Sequence, residues 1–73
     1  MQWNVKMIKS GQIYRHYKGN VYRVIGTAKH TESLEDLVIY CKENNHEEIW
    51  ARPTVMFEEK LADGRKRFEL IGE

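Results

Sequence analysis

The side chains best suited to binding or catalysis in this chain of 73 residues fall in three short stretches. They comprise two histidines, two aromatic residues, one carboxylate and two cations: His16, Tyr17, Lys18, His30, Glu32, Trp50 and Arg52. Aromatic faces beside cations suit stacked bases, extended peptides or anionic groups. Histidines beside a carboxylate can instead act as a general acid and base. The residue types therefore indicate either a binding face or an acid–base cluster.

Four of these residues are polar groups that the core of a small domain does not need. Arg52 directly precedes Pro53, which restricts its backbone, and Glu32 could accept two parallel hydrogen bonds from its guanidinium. We therefore expect His16, His30, Glu32 and Arg52 to lie close together in the fold. Two structural alternatives stay open: Tyr17, Trp50 and Phe68 could fill the core, and Arg52 could be a bonded structural arginine paired with Glu32.

Patterns for metal binding and nucleophilic catalysis are weak. Structural zinc sites use ligands roughly two to four residues apart, whereas Cys41 and the three histidines are each isolated in the sequence. Cys41 lies in the most apolar segment, which favours a buried and inert thiol. No glycine-rich phosphate loop precedes a helix. We predict no metal, no cofactor and no catalytic residue, and a domain filled by its own side chains disfavours enzymatic activity.

Charge is distributed unevenly along the chain. The first 31 residues contain six lysines and arginines and no acidic residue, whereas residues 32–51 contain six acidic residues and Lys42 alone. This asymmetry can mark a surface that recognises a charged partner, although opposite charges could simply pair across neighbouring strands. The net charge of +1 is low for a nucleic-acid-binding domain. Nucleic acid and protein therefore remain equal candidates for the partner.

Length and composition define a small globular protein. The chain is long enough for one domain, and no apolar run approaches the roughly 20 residues that a membrane-spanning helix needs. Its single cysteine cannot form an internal disulfide, which is typical of a reducing compartment. We predict a soluble cytoplasmic protein that does not bind membranes and that is a monomer or a weak homodimer.

Several β-prone segments are separated by short turns. We predict strands over 13–17, 21–28, 36–41, 48–52 and 66–71, a hairpin turn over 18–20, a bulge or bend at Gly26, and a short helical turn near residues 53–58. This pattern predicts a mainly β protein with a single small five-stranded antiparallel SH3-like barrel. The expected core residues are Val24, Leu37, Ile39, Phe57, Phe68 and Leu70.

Six segments, in their order and spacing, resemble the small bacterial family called domain of unknown function 1653. They are Gly11-x-x-Tyr14-x-His16-Tyr17-Lys18-Gly19, Tyr22-x-Val24, Ala28-x-His30-x-Glu32, Val38-x-Tyr40, Trp50-x-Arg52-Pro53-x-x-Met56-Phe57 and Arg67-Phe68. The resemblance covers about residues 11–71. It implies a compact SH3-like β-barrel, found alone or attached to other domains, with no established biochemical activity. We accordingly expect an N-terminal lead-in over residues 1–10 and one barrel domain over residues 11–73.

These observations favour a small binding module whose basic and aromatic face recognises an anionic or extended partner. Two alternatives belong to different classes of protein. The first is a ligand-binding or hydrolytic domain that uses the His, Glu and Arg residues as a cluster. The second is a purely structural accessory domain. A binding face should be open, whereas a catalytic cluster should lie in a cleft and contain histidines with shifted pKa values.

Overall fold

The structure, a computed structural model, describes residues 8–73 and contains one antiparallel sheet. Its elements are β1 (Ile13–His16), β2 (Val21–Lys29), β3 (Asp36–Lys42), β4 (Asn45–Pro53), α1 (Thr54–Phe57) and β5 (Phe68–Gly72). The strand order is β4-β3-β2-β1-β5. The predicted mainly β class, five antiparallel strands and short helical turn are confirmed. Most of the predicted lead-in, residues 1–7, lies outside the described residues.

Two glycines shape the hairpin formed by β1 and β2. Gly19 in the β1–β2 turn has φ +110°, a left-handed conformation that favours glycine, and its N–H donates to the His16 carbonyl over 2.7 Å. Farther along β2, the register with β3 shifts between Val24 and Gly26, so the predicted bulge is present. A bulge increases the local bend of a strand. These residues therefore give the sheet a tight hairpin at one end and a bend in the middle.

The sheet is not closed into a barrel, which differs from the predicted closure. Within residues 8–73, β4 and β5 are the two edge strands and form no ladder with each other. Pro53, which has no N–H, ends β4, and the chain then turns into α1. The Phe57 ring of α1 stacks on the Phe68 ring of β5 with centroids 4.1 Å apart. Ring packing, rather than backbone hydrogen bonds, thus joins the two edges.

The core is a cluster of aromatic and β-branched side chains on the inner face of the sheet. Its members are Tyr14, Val24, Val38, Tyr40, Phe57 and Phe68. Among the predicted core residues, Val24, Phe57 and Phe68 are confirmed. Cys41 is also buried, as expected for an inert thiol.

The predicted inner face of β3 is wrong by one residue. Val38 is fully buried and Tyr40 is buried, whereas Leu37 and Ile39 are only half-buried. Successive residues of a strand point to opposite faces, and both faces of β3 are apolar. The hydrophobic pattern therefore could not decide which face turns inward. Leu70 is likewise half-buried and packs against the rim of the core.

Within residues 8–73, no helix has the length and apolar character that crossing a membrane requires.

Replacing Phe57 with alanine should lower the free energy of unfolding by about 3–5 kcal/mol, because it removes a fully buried ring and leaves a cavity. Val55 lies two residues earlier and is 77% exposed, so Val55→Ala should change stability by less than about 0.5 kcal/mol. Urea denaturation followed by circular dichroism measures both values. Equal losses in the two variants would contradict the placement of α1 against the core.

Candidate functional site

The β1–β2 hairpin brings three of the predicted site residues together. The His16 ring lies 4.5 Å from the Tyr17 ring and 4.9 Å from the Phe68 ring, measured between centroids. His16 Nδ1 accepts a hydrogen bond from the Lys18 N–H over 3.2 Å. Lys18 Nζ lies 5.8 Å from the centroid of the Tyr17 ring. The tight turn therefore fixes His16, Tyr17 and Lys18 as one group.

Arg52 reaches this group from β4, across the open side of the sheet. It lies opposite Val38, which places it on the inner face, and its guanidinium carbon is 5.5 Å from the Phe68 centroid. Arg52 Nε donates to the Tyr40 hydroxyl over 3.1 Å. In the part of the chain that the structure describes, Arg52 forms no ion pair. A neutral hydroxyl and an aromatic ring therefore hold this half-buried cation.

Arg67 is a further member of the site that was not among the predicted site residues. Its Nη2 donates to Glu59 over 3.2 Å, while its buried Nε has no hydrogen-bond partner among residues 8–73. The Tyr17 N–H donates to the Arg67 carbonyl over 2.9 Å, which fixes Arg67 beside the hairpin. The sequence did offer a signal for Arg67, because the pair Arg67-Phe68 is one of the six segments that carry the family resemblance. We call His16, Lys18, Arg52 and Arg67 the His16 cluster.

The electrostatic environment of His16 is strongly positive. Burial lowers the pKa of its imidazole, and repulsion from Arg52, Arg67 and Lys18 lowers that pKa further. The ring is therefore neutral at pH 7. Because Nδ1 accepts the Lys18 N–H, the neutral ring carries its proton on Nε2. The His16 cluster thus combines three cations with an additional neutral donor, an arrangement that suits an anion.

His30 and Glu32 form no hydrogen bond, ion pair or ring contact with His16 or Arg52 among residues 8–73. Both belong to the loop between β2 and β3, and His30 Nδ1 accepts hydrogen bonds from the N–H groups of Glu32 and Ser33. This loop follows the last residue of β2, whereas His16 lies at the hairpin before its first residue. The two histidines therefore lie at opposite ends of the nine-residue strand β2. Within residues 8–73, no ion pair joins Glu32 to Arg52.

The two predicted aromatic residues of the site are partly exposed. Trp50 lies directly opposite Tyr40 on the inner face of β4 and is 46% exposed. Tyr17 in the hairpin is 38% exposed. Neither residue belongs to the buried core cluster, although Tyr14 and Tyr40 do. The expectation that Tyr17 and Trp50 could fill the core is therefore wrong, and both rings offer surface to a partner.

Acidic side chains lie at the same end of the sheet as the β1–β2 hairpin, whereas Arg52 lies near the opposite end of β4. The β3–β4 turn is adjacent to the start of β2, because the Glu43 N–H donates to the Val21 carbonyl over 2.9 Å. Arg23 donates two hydrogen bonds to the Glu43 carboxylate, at 2.8 and 2.7 Å. These bonds hold the pKa of Glu43 below its usual range. Glu47 and Glu48 follow in β4 and are exposed. An acidic turn therefore borders the hairpin end of the sheet.

A pocket of about 390 Å³ opens beside the hairpin, toward β5. Its lining residues are Arg15, His16, Tyr17, Gly19, Arg65, Lys66 and Glu69. Arg15 and Glu69 are opposite one another in the β1–β5 ladder. Within residues 8–73, no group of three His, Cys, Asp or Glu side chains is arranged to hold a metal ion. The pocket and the His16 cluster share His16 as a lining residue.

The geometry defines a small antiparallel β domain with cations and aromatic rings gathered at one hairpin. The chain belongs to the family described as "Protein of unknown function (DUF1653)", whose model matches residues 12–70. It is similar to the crystal structure of a protein of this family from Bordetella bronchiseptica, with a TM-score of 0.74 and 28% sequence identity over 90% of each chain. A comparison with curated proteins found no match. The family resemblance is thus confirmed, and the family description states no activity.

The stability of the protein should depend on pH through His16. Because its pKa is lower in the folded state, the unfolded chain takes up the proton first as pH falls below the ordinary value of 6.5. Stability should therefore decrease between pH 7.5 and pH 5.5. The variant His16→Asn keeps an acceptor for the Lys18 N–H but cannot be protonated in this range, so it should lose less stability over the same interval.

Urea denaturation of both proteins at the two pH values measures this difference. Carboxylates titrate in both proteins and cancel in the comparison. An equal pH dependence in the two proteins would contradict the environment described for His16.

Proposed function

We propose that this protein is a non-enzymatic binding module whose His16 cluster, flanked by Tyr17 and Trp50, recognises an acidic segment of a protein partner. The observation that carries this proposal is the state of Arg52. It is a half-buried cation with no ion pair among residues 8–73, and it lies within a group of further cations. A carboxylate of a partner supplies the charge that this arrangement lacks.

Arg52 is positioned in advance for such a contact. The Tyr40 hydroxyl holds Nε, and the Phe68 ring packs beside the guanidinium plane. Only Nε has a hydrogen-bond partner among the described residues, which leaves the two Nη groups to form a two-pronged contact with a carboxylate. A side chain that is already fixed loses little conformational entropy when it binds. This supports a recognition role in addition to a structural one.

The charges near the His16 cluster favour a protein segment over nucleic acid. Glu43, Glu47 and Glu48 lie at the neighbouring turn and strand, and the net charge of the chain is only +1. A nucleic-acid backbone carries a phosphate at every nucleotide, so it would meet these carboxylates as it continued past the cluster. An acidic peptide can place one or two carboxylates at the cluster and neutral residues beside the acidic turn.

The hydrolytic alternative receives less support. An acid–base mechanism requires groups within hydrogen-bonding reach of the same substrate atoms. His16 and the pair His30 and Glu32 lie at opposite ends of β2. The Nδ1 atoms of both histidines accept hydrogen bonds from backbone N–H groups two residues later, which is a turn-stabilising role.

Binding of a labelled hexaglutamate peptide tests the proposal. At low ionic strength the native protein should bind it, and the affinity should fall as salt is added. Arg52→Lys keeps the charge but loses the planar guanidinium, so affinity should fall about tenfold. The charge of Lys29 is already paired with Asp36 over 2.8 Å, so Lys29→Gln is the control and should change affinity less than Arg52→Lys does.

A second variant separates recognition from stability. Tyr40→Phe removes the hydroxyl that holds Arg52 but retains its guanidinium, so it should lower the melting temperature and weaken binding less than Arg52→Lys does. If Arg52→Lys lowers the melting temperature without changing affinity, the cluster is structural only. If a single-stranded oligonucleotide of equal charge binds more tightly than the peptide, the partner is nucleic acid and the protein assignment fails.

A further inference from the structure

The pocket beside the hairpin contains a second set of cations that the proposed function does not use. Arg15 lies on the outer face of β1, because the neighbouring Tyr14 points into the core. Arg65 and Lys66 come from the loop that precedes β5, and Gly19 and Tyr17 complete the wall at the hairpin. The β1–β5 ladder brings these distant parts of the sequence together. Arg52 and Arg67 do not line this pocket.

Charge in the pocket is only partly compensated. Glu69, opposite Arg15, is the one carboxylate among the lining residues. Arg65 is occupied by Asp63, whose carboxylate accepts from the Arg65 side chain over 2.8 Å and from its backbone N–H over 3.0 Å. Within residues 8–73, neither Arg15 nor Lys66 forms an ion pair. Two cations therefore face the pocket without a bonded carboxylate, and a third is held in place by one.

We propose that this pocket binds the phosphoryl group of a small phosphomonoester. A phosphomonoester carries a charge of about −1.5 to −2 at pH 7, which matches two uncompensated cations better than a single carboxylate does. Its three terminal oxygens can accept hydrogen bonds from an arginine and a lysine at the same time. This site lies beyond the proposed function, because its cations differ from Arg52 and Arg67 of the His16 cluster.

The size of the pocket indicates that the ligand is larger than phosphate itself. Its volume of about 390 Å³ lies within the range of roughly 300–1,000 Å³ found for small-molecule sites. A phosphoryl group fills only part of that space, so the remainder is available to the group that carries it. Glu69 can accept a hydrogen bond from a hydroxyl of that group. A polyhydroxylated carrier such as a sugar fits these properties.

Isothermal titration calorimetry with ribose 5-phosphate, ribose and inorganic phosphate tests the site. Ribose 5-phosphate should bind, ribose should not, and inorganic phosphate should bind more weakly, because it leaves the rest of the pocket unfilled. Arg15→Gln and Lys66→Gln should each weaken ribose 5-phosphate binding about tenfold, since each removes a charged donor. Both side chains are exposed, so the fold should tolerate these substitutions. Lys29→Gln is the control and should bind like the native protein.

Four results would overturn the proposal. Binding of ribose as tightly as its phosphate would show that the phosphoryl group is not recognised. Binding unaffected by both Arg15→Gln and Lys66→Gln would place the ligand elsewhere. Tighter binding of a phosphoserine peptide or a 5′-phosphorylated oligonucleotide would assign the pocket to a macromolecular partner. If inorganic phosphate binds as tightly as ribose 5-phosphate, the pocket recognises the free phosphate ion and not a phosphomonoester.

The two proposals fail independently in these measurements. Arg52→Lys should leave ribose 5-phosphate binding unchanged, and Arg15→Gln should leave hexaglutamate binding unchanged, because the two arginines serve different sites. If one of these variants lost both ligands without loss of folding, the His16 cluster and the pocket would form a single anion-binding surface. That result would overturn the assignment of two sites. Circular dichroism of each variant checks the folding.

Discussion

The packing around the Phe68 ring is the interaction on which the rest of the structure depends. β4 and β5 are not joined by a ladder, so side chains must hold the two edges of the sheet together. Phe57 stacks on one side of this junction with nearly parallel rings, His16 and Tyr40 approach edge-on, and the Arg52 guanidinium lies 5.5 Å from the ring centroid. A domain of this size buries little surface, and a junction made of large rings supplies much of what it can bury.

This junction also determines the chemistry of the candidate binding surface. Arg52 from β4 and His16 from β1 both lie against the Phe68 ring, although the two strands lie at separate places in the sheet. The contacts of Arg52 with Tyr40 and Phe68 are neutral, so its positive charge is not compensated within residues 8–73. The same burial keeps His16 uncharged at neutral pH. The contacts that stabilise the core thus also leave a cation without a charged partner among residues 8–73.

In the short strand β1, alternation of side chains places Arg15 on the face opposite to His16. In β1, Tyr14 and His16 point toward the core side, whereas Arg15 points outward to the pocket that Glu69 and the loop before β5 complete. Because successive side chains of a strand point to opposite faces, one four-residue element can serve two surfaces without shared cations. His16 and the hairpin residue Tyr17, at the end of this strand, border both sites.

Local structure was predictable from the amino-acid sequence, whereas contacts between distant residues depended on how the whole domain packs. The turn at Gly19 and the bulge at Gly26 were predictable because each depends on the backbone preferences of a few neighbouring residues. The grouping of His16, Tyr17 and Lys18 was predictable for the same reason. The inward face of β3 was not, since both of its faces are apolar. The partner of Arg52 depended on side-chain packing: its Nε bonds the Tyr40 hydroxyl, whereas Glu32 in the β2–β3 loop forms no ion pair with it among residues 8–73. Register and curvature are set by packing over the whole domain, and no local pattern encodes them.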